Sequence, residues 1–329
     1  MSWKQLFISV FFLVFSVAAH GASTLAEAKL TISVMDENIQ PITNALVAVA
    51  FYAPRSATDL WQGLKSQIVN GKTDTNGGFV VSDKTVRSIR LSVRCQGYYE
   101  TTDSFKFSSQ EDGKWIPYNP VVDVVLRAKK APRPLYAKKF SDMELPALGE
   151  PIGYDLLVGD WVAPHGKGVL DDFTFTLIRN YKSRFDYTST LTITAPGRYD
   201  GFVSISPEDV IQQSEFSFPR HAPEGGYIES NIVLKATVQP GRSDKYTCSS
   251  SSQNLFFRVR AEVDEDGSIK ESLYGKLVGP IKCELHDTKT GRLQLTYYLN
   301  PDVNNKNLEF DPSRNLFKNL GWFEQVKKP

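Results

Sequence analysis

Apolar residues recur at every second position along most of the chain. The cleanest run is 293–299, where Leu293, Leu295, Tyr297 and Leu299 fall on one face and Gln294, Thr296 and Tyr298 on the other. A period of two is the mark of a strand with one buried side. Residues 30–34, 45–51, 89–95, 122–126, 173–177, 191–195, 232–238 and 257–263 alternate in the same way. Between the runs sit residues that tolerate positive φ, in Asp74-Thr75-Asn76-Gly77, Asp264-Glu265-Asp266-Gly267 and Lys289-Thr290-Gly291, and these predict hairpins of antiparallel sheets. Helical spacing is sparse: Ser56 ahead of Leu60, Trp61, Leu64 and Ile68 predicts one short helix, and a turn is expected within 312–320. Two such pieces cannot make a helical layer, so the predicted fold class is all-β, with the second domain an antiparallel β-sandwich or jelly roll.

The first residues break the alternation. Lys4 is followed by the apolar run 6–17 and then by Ala18-Ala19-His20-Gly21-Ala22, the pattern of a secretory signal peptide, here assigned to 1–21. The run is too short to span a bilayer, and no second long apolar stretch follows, so no transmembrane segment is expected after cleavage. The protein is therefore expected to be exported, to the periplasm or beyond the cell. With 41% hydrophobic and 23% charged residues the chain of 329 residues carries the composition of ordinary globular domains, which excludes wholesale disorder. Lys and Arg number 38 against 37 Asp and Glu, so there is no basic excess of the kind a dedicated nucleic-acid binder shows.

A domain boundary is expected after the strand at 122–126. Arg127, Lys129, Lys130, Arg133, Lys138 and Lys139 come with no acid among them and with Pro132 and Pro134, and Pro146, Gly149 and Pro151 follow. Such a stretch predicts an extended, unpaired linker over 129–152, between domains at 22–128 and 153–329. A solvated linker is the simpler reading of its charge; contact with an anionic envelope surface is the other.

Within 29–128 four pieces stand in order: Val34-Met35-Asp36; Pro41-Ile42-Thr43-Asn44-Ala45-Leu46-Val47-Ala48-Val49; Thr73-Asp74-Thr75-Asn76-Gly77-Gly78-Phe79; and Gly97-Tyr98-Tyr99. Together they resemble the carboxypeptidase regulatory-like domain, a transthyretin-like, Ig-like β-sandwich. The physical logic of the third piece is plain: Asn76 and Gly77 suit a tight hairpin, Asp74 can accept from amides within the turn, and Phe79 returns an aromatic to the core. Some twenty residues between Tyr52 and Lys72 depart from the family's pattern. The resemblance implies an accessory module without catalytic residues of its own, and the peptidase that gives the family its name has no H-x-x-E or H-E-x-x-H counterpart here. Residues 150–329 resemble no family.

Chemistry-bearing motifs are few. His165, His221 and His286 are isolated from one another, so a zinc site would need distant residues to converge, and no cofactor is expected. The run 300–311 is rich in Asn and Asp, but Lys306 stands where a calcium loop needs an oxygen ligand; a loop capped by its own side chains is expected instead. No G-x-S-x-G elbow or phosphate-cradling loop occurs, and Ser249-Ser250-Ser251-Ser252 reads as a flexible loop. Asp171-Asp172 and Glu215 are the carboxylates a glycosidase reading would use. Of three cysteines, Cys95 shares the inward face of Leu91 and Val93 and is expected to be a buried thiol, while Cys248 and Cys283 are the preferred disulfide pair.

One segment suggests recognition. Trp161, His165 and Lys167 lie in a Gly/Pro-bounded loop before the strand at 173–177. An exposed Trp with polar neighbours can stack on a sugar ring or grip a protein; packing of Trp161 in the second core is the alternative and the simpler one. The sequence thus points to an exported, non-catalytic binding or adaptor protein whose partner is an envelope protein or a glycan. A hydrolase of envelope polymers with its site in the C-terminal domain is the alternative, and a structural subunit joined through sheet edges is a third.

Overall fold

The computed structural model describes residues 25–55, 63–183, 185–227, 232–241, 254–284 and 290–329. The leader, Ser56, Leu60 and Trp61 of the expected helix, Cys248 of the expected disulfide, the 249–252 serines, His286 and Lys289 lie outside the described residues. The protein is all-β, with 55% strand and 2% helix. Its described residues divide into two compact units, one made of those up to Met35, within Ile39–Val93 and in Asp103–Val124, the other of Asp36–Asn38, Arg94–Thr102 and those within Val125–Pro329.

In the first unit the strands are β1 (Ala26–Asp36), β2 (Leu46–Pro54), β3 (Leu64–Lys72), β4 (Gly78–Thr85), β5 (Ser88–Arg94), β6 (Thr101–Lys106), β7 (Ser109–Glu111), β8 (Lys114–Ile116) and β9 (Val121–Leu126). One sheet runs β4-β1-β8-β7 with β9 also on β1, and the other runs β3-β2-β5-β6. Their buried faces are those the alternation marks: Leu30, Ile32 and Val34 on β1, Val47, Val49 and Phe51 on β2, Ile89, Leu91 and Val93 on β5. The hairpin at 74–78 forms as expected. Asp74 Oδ1 accepts from the amides of Asn76 at 2.9 Å and Gly78 at 2.8 Å. Positive φ falls on Gly77, at +74°, where a Cβ would stand 2.4 Å from the Val34 carbonyl oxygen.

Three expectations here are corrected. Leu64 and Ile68 belong to β3 and not to a helix, and both are exposed. Antiparallel pairing with β2, from Leu46↔Lys72 to Pro54↔Leu64, satisfies their backbone and overrides the local spacing. Phe79 is half-buried and lies over Gly71, where the lack of a Cβ makes room for its ring. Cys95 falls just beyond β5, where the chain turns and the Tyr98 amide donates to its carbonyl; its thiol is free and only half-buried.

The second unit holds β10 (Tyr136–Glu144), β11 (Pro151–Asp155), β12 (Asp160–Trp161), β13 (Phe173–Ser183), β14 (Asp186–Thr194), β15 (Gly201–Ser204), β16 (Ile232–Val238), β17 (Leu255–Val263), β18 (Ile269–Glu284) and β19 (Arg292–Asn300). They build two five-stranded sheets, β10-β19-β18-β17-β15 and β12-β11-β13-β14-β16. Between them lies a continuous core that includes Tyr154, Phe173, Phe175, Leu191, Phe257, Leu277, Leu295 and Tyr297. The expected unpaired linker is corrected over 136–144, which pairs with β19 from Tyr136↔Leu299 to Glu144↔Arg292. Pro132, Pro134 and Pro146 flank the strand without entering it, so no ladder donor is lost.

The sheet containing β18 is buried on both faces. Leu293, Leu295, Tyr297 and Leu299 face the inter-sheet core as the alternation predicts, but Tyr298 on the opposite face is buried as well. A second apolar layer covers it: Leu135, Phe218, Ala222, Leu308, Phe310 and Val326, all from irregular segments, pack on Phe256, Tyr274 and Tyr298. The Asn/Asp-rich run helps to fold this cover as expected. Asn300, Asn305 and Asn307 side chains accept from the amides of Asp302, Asn307 and Glu309 at 2.9–3.0 Å.

Candidate functional site

The loop expected to bind is held by two carboxylates. Asp155 accepts from the amides of Leu157, Val158, Val169 and Leu170 at 3.0–3.1 Å. Asp160 accepts from the amides of Trp161 and Lys167 at 2.9 and 3.0 Å. Inside this frame Trp161 is 7% exposed. Its ring stands edge-on to Tyr154 and Phe175, with centroids at 5.1 and 5.3 Å. His165 and Lys167 are exposed, and His165 Nε2 lies 4.0 Å from Glu150 Oε1. The three residues therefore do not converge: Trp161 packs in the core, and the other two face solvent. Cys283 is buried among the core residues of the same unit.

Of the carboxylates of a glycosidase reading, Asp171 accepts from the Thr174 hydroxyl at 2.8 Å, Glu215 is exposed, and Asp172 is committed elsewhere. Asp172 is buried and takes a forked pair of bonds from Arg260, Nε to Oδ1 at 2.7 Å and Nη2 to Oδ2 at 2.8 Å. The same guanidinium reaches Asp155 Oδ1 at 3.0 Å. Arg260 can do so because it sits in a bulge of β17 at φ +55°, where its own amide and that of Ala261 donate to Asp200 at 3.1 and 2.9 Å. Burial would raise the Asp155 carboxyl, yet the amides of Val169, Leu170 and Val158 and the charge of Arg260 outweigh it and hold the group below its usual range. Burial dominates at Asp200 and pushes that carboxyl up. Asp155, Asp172 and Asp200 thus converge on one arginine and on backbone amides, as a clasp. Among the described residues no group of three or more His, Cys, Asp or Glu is placed to hold a metal.

Three members of the basic run are likewise used internally. Arg127 Nη1 donates to the carbonyls of Phe216 and Phe218 at 2.6 and 2.8 Å. Arg133 pairs with Asp302 at 2.6 Å, and Lys138 with Glu324 at 3.1 Å. Each of these side chains binds a fixed acceptor of the second unit.

An exposed aromatic pair that the alternation could not reveal lies near the C-terminus. Residues 311–326 run beside β10, at the edge of its sheet. The Asn315 side chain bonds the Ala137 amide and carbonyl at 3.3 and 2.7 Å, and the Lys139 amide donates to the Glu324 carbonyl at 2.9 Å. This strap caps the edge and leaves Trp322 69% and Phe323 74% exposed. The Ser141 hydroxyl donates to the Phe323 carbonyl at 2.5 Å, and the Lys327 ammonium stands 3.5 Å from the Trp322 ring centroid. Beside Phe323 is an open groove of about 440 Å³ lined by Phe140, Ser141, Asp142, Met143 and Glu324. A second, of about 490 Å³, is lined by Ser313, Asn315, Lys318, Gln325 and Lys327. Exposed aromatics beside an open groove can stack on a flat apolar face while polar groups at the rim bond hydroxyls. The signal in the sequence was the adjacent pair Trp322-Phe323 in the C-terminal tail.

Two compact units of mainly antiparallel β-sheet are what the fold defines. No family model matches the chain, and no curated protein matches it. Among solved structures it is similar to hydroxyquinol 1,2-dioxygenase from Pseudomonas putida DLL-E4, at 14% identity and a TM-score of 0.25 over 32% of this chain and 58% of that one. It is also similar to a mutant of the shaft pilin spaA from Lactobacillus rhamnosus GG, at 11% identity and a TM-score of 0.23 over 55% of this chain and 91% of that one. The match spans less than two thirds of the dioxygenase, and likenesses of this size carry no functional argument. Among the described residues no helix is long and apolar enough to cross a membrane.

Proposed function

We propose that this chain is an exported, non-catalytic binding protein of the cell envelope whose second unit takes a glycan on the Trp322–Phe323 shelf. The carrying observation is the exposure of both rings, with an open groove beside Phe323, whereas Trp161 is spent on the core. The leader at 1–21 supports export, and the four motif pieces at 29–128 support an accessory module of the carboxypeptidase regulatory-like kind in the first unit. Burial of a large ring stabilises a contact by about 1.5–3 kcal/mol, enough for two rings to anchor a weak, repeated interaction. A glycan array probed with the protein and with Trp322→Ala tests the reading. Retention of a sugar class that is lost in the variant is expected; equal retention by both proteins, or none by either, overturns it.

One observation favours a second reading, assembly through a sheet edge. β3 is an edge strand with Leu64 and Ile68 exposed and no acidic side chain along it. A rise of apparent mass with concentration, abolished by Ile68→Lys, would identify a structural subunit.

A further inference from the structure

Lys276, on β18, is 0% exposed, and its Nζ has no hydrogen-bond partner among the described residues. It enters the second apolar layer with Tyr274 on its own strand. Aromatic rings surround the nitrogen: Tyr298 of β19 at 4.4 Å, Phe216 at 5.3 Å and Phe218 at 5.4 Å, measured to the centroids. Four charged side chains of the same unit complete the surroundings. Arg127 packs on Phe216 and binds Glu37 at 3.2 Å; Arg220 stands 3.5 Å from Glu309 and 3.6 Å from Glu37. Glu309 is 0% exposed and accepts from Tyr99 Oη and from the amides of Lys130 and Ala131, each at 3.0 Å. Two guanidiniums and two carboxylates already balance. An uncharged Lys276 leaves that balance intact, while an ammonium there adds a third cation that has no acceptor among the described residues.

The segment 206–227 packs over the lysine and is tied down by the Glu215 amide to the Glu100 carbonyl and by the Leu308 amide to the Arg220 carbonyl. Its one regular element is a 3-10 turn at Pro207–Asp209, and it supplies Phe216, Phe218 and Arg220. We infer that this segment is a proton-operated latch: it stays closed over Lys276 while the amine is uncharged, and it opens to hydrate the nitrogen when the amine takes a proton. Burial first, and Arg127 second, lower the group to about 7, against a weaker opposing pull from Glu309, so the changeover falls near neutrality. The charged groups that face it are Glu37, Arg127, Arg220 and Glu309, and the phenols are Tyr99, Tyr274 and Tyr298.

Amide exchange of 211–222 in the full chain, corrected for the intrinsic pH dependence of exchange, reads the latch between pH 6 and 9. Opening should increase up to roughly tenfold per pH unit as pH falls from 9 toward 7, then level off below 7. Lys276→Met, uncharged at every pH, should show flat protection. Protection in the parent protein that does not change with pH, or the same slope in the variant, overturns the proposal. Should Lys276→Met not fold, ¹³C-labelled lysine followed by NMR in the parent decides it: one lysine titrating near neutrality supports the latch, and every lysine titrating above about 9.5 refutes it.

Discussion

A buried amine that prefers to be neutral makes stability depend on pH, and the size of that dependence follows from the structure. An unfolded lysine takes its proton below 10.5, whereas the folded chain holds Lys276 at about 7. Across that interval the unfolded state binds the extra proton, so stability rises with pH. At about 1.4 kcal/mol per unit the whole effect is about 5 kcal/mol, fully set against the fold below pH 7 and relieved as pH climbs to 10.5. Between pH 7 and 9.5 the gain is about 3 kcal/mol, a window that stops short of the tyrosines, since burial lifts Tyr298 and Tyr297 above 10 in the folded state only. Methionine fills nearly the same volume with a thioether that suits aromatic neighbours, so Lys276→Met should be flat over this window and more stable by about 4 kcal/mol at pH 7. Urea unfolding followed by near-ultraviolet circular dichroism measures both. A parent protein whose midpoint does not rise over the window, or a variant that keeps the slope, refutes the reasoning.

Four further outcomes are expected. Trp161→Ala should cost about 3–5 kcal/mol in chemical unfolding, because it empties a site between Tyr154 and Phe175; a cost under about 1 kcal/mol would return the ring to a recognition role. Trp322→Ala and Phe323→Ala should change stability by no more than about 0.5 kcal/mol while weakening glycan retention, so a large drop in melting temperature would make the shelf structural. Arg260→Met should destabilise by about 3 kcal/mol, since it strands the buried Asp172 carboxylate; urea unfolding at pH 7 reads it, and an unchanged midpoint would contradict the clasp. Gly77→Ala should cost at least about 1 kcal/mol from the positive φ and the approach to the Val34 carbonyl, and an unchanged melting temperature would contradict the turn geometry.

Much of the strand order was legible because one-sided burial writes itself as alternation: β1, β2, β5, β14, β16 and β19 each carry the pattern that their inner faces need. The Asp74 turn was legible because its hydrogen bonds are local. Outcomes differed where distant pairing or covering decided them. β3 has helical spacing yet is a strand, because β2 offers it a ladder. β10 reads as a basic linker yet is a strand, because β19 accepts it at the edge.

The candidate sites divide along the same line. Composition and motif spacing by themselves determined that the chain has no basic excess, no nucleophile elbow and no zinc motif, since those are properties of residue type and short separation. Only the tertiary structure decided that Trp161 turns inward and Trp322 outward, that Asp155, Asp172 and Asp200 meet on Arg260, and that a lysine in the middle of a strand lies in a buried aromatic enclosure. Alternation records which residues share a face. It does not record whether a second layer, built from segments far apart in the sequence, will come to cover that face, and the state of Lys276 depends on that cover.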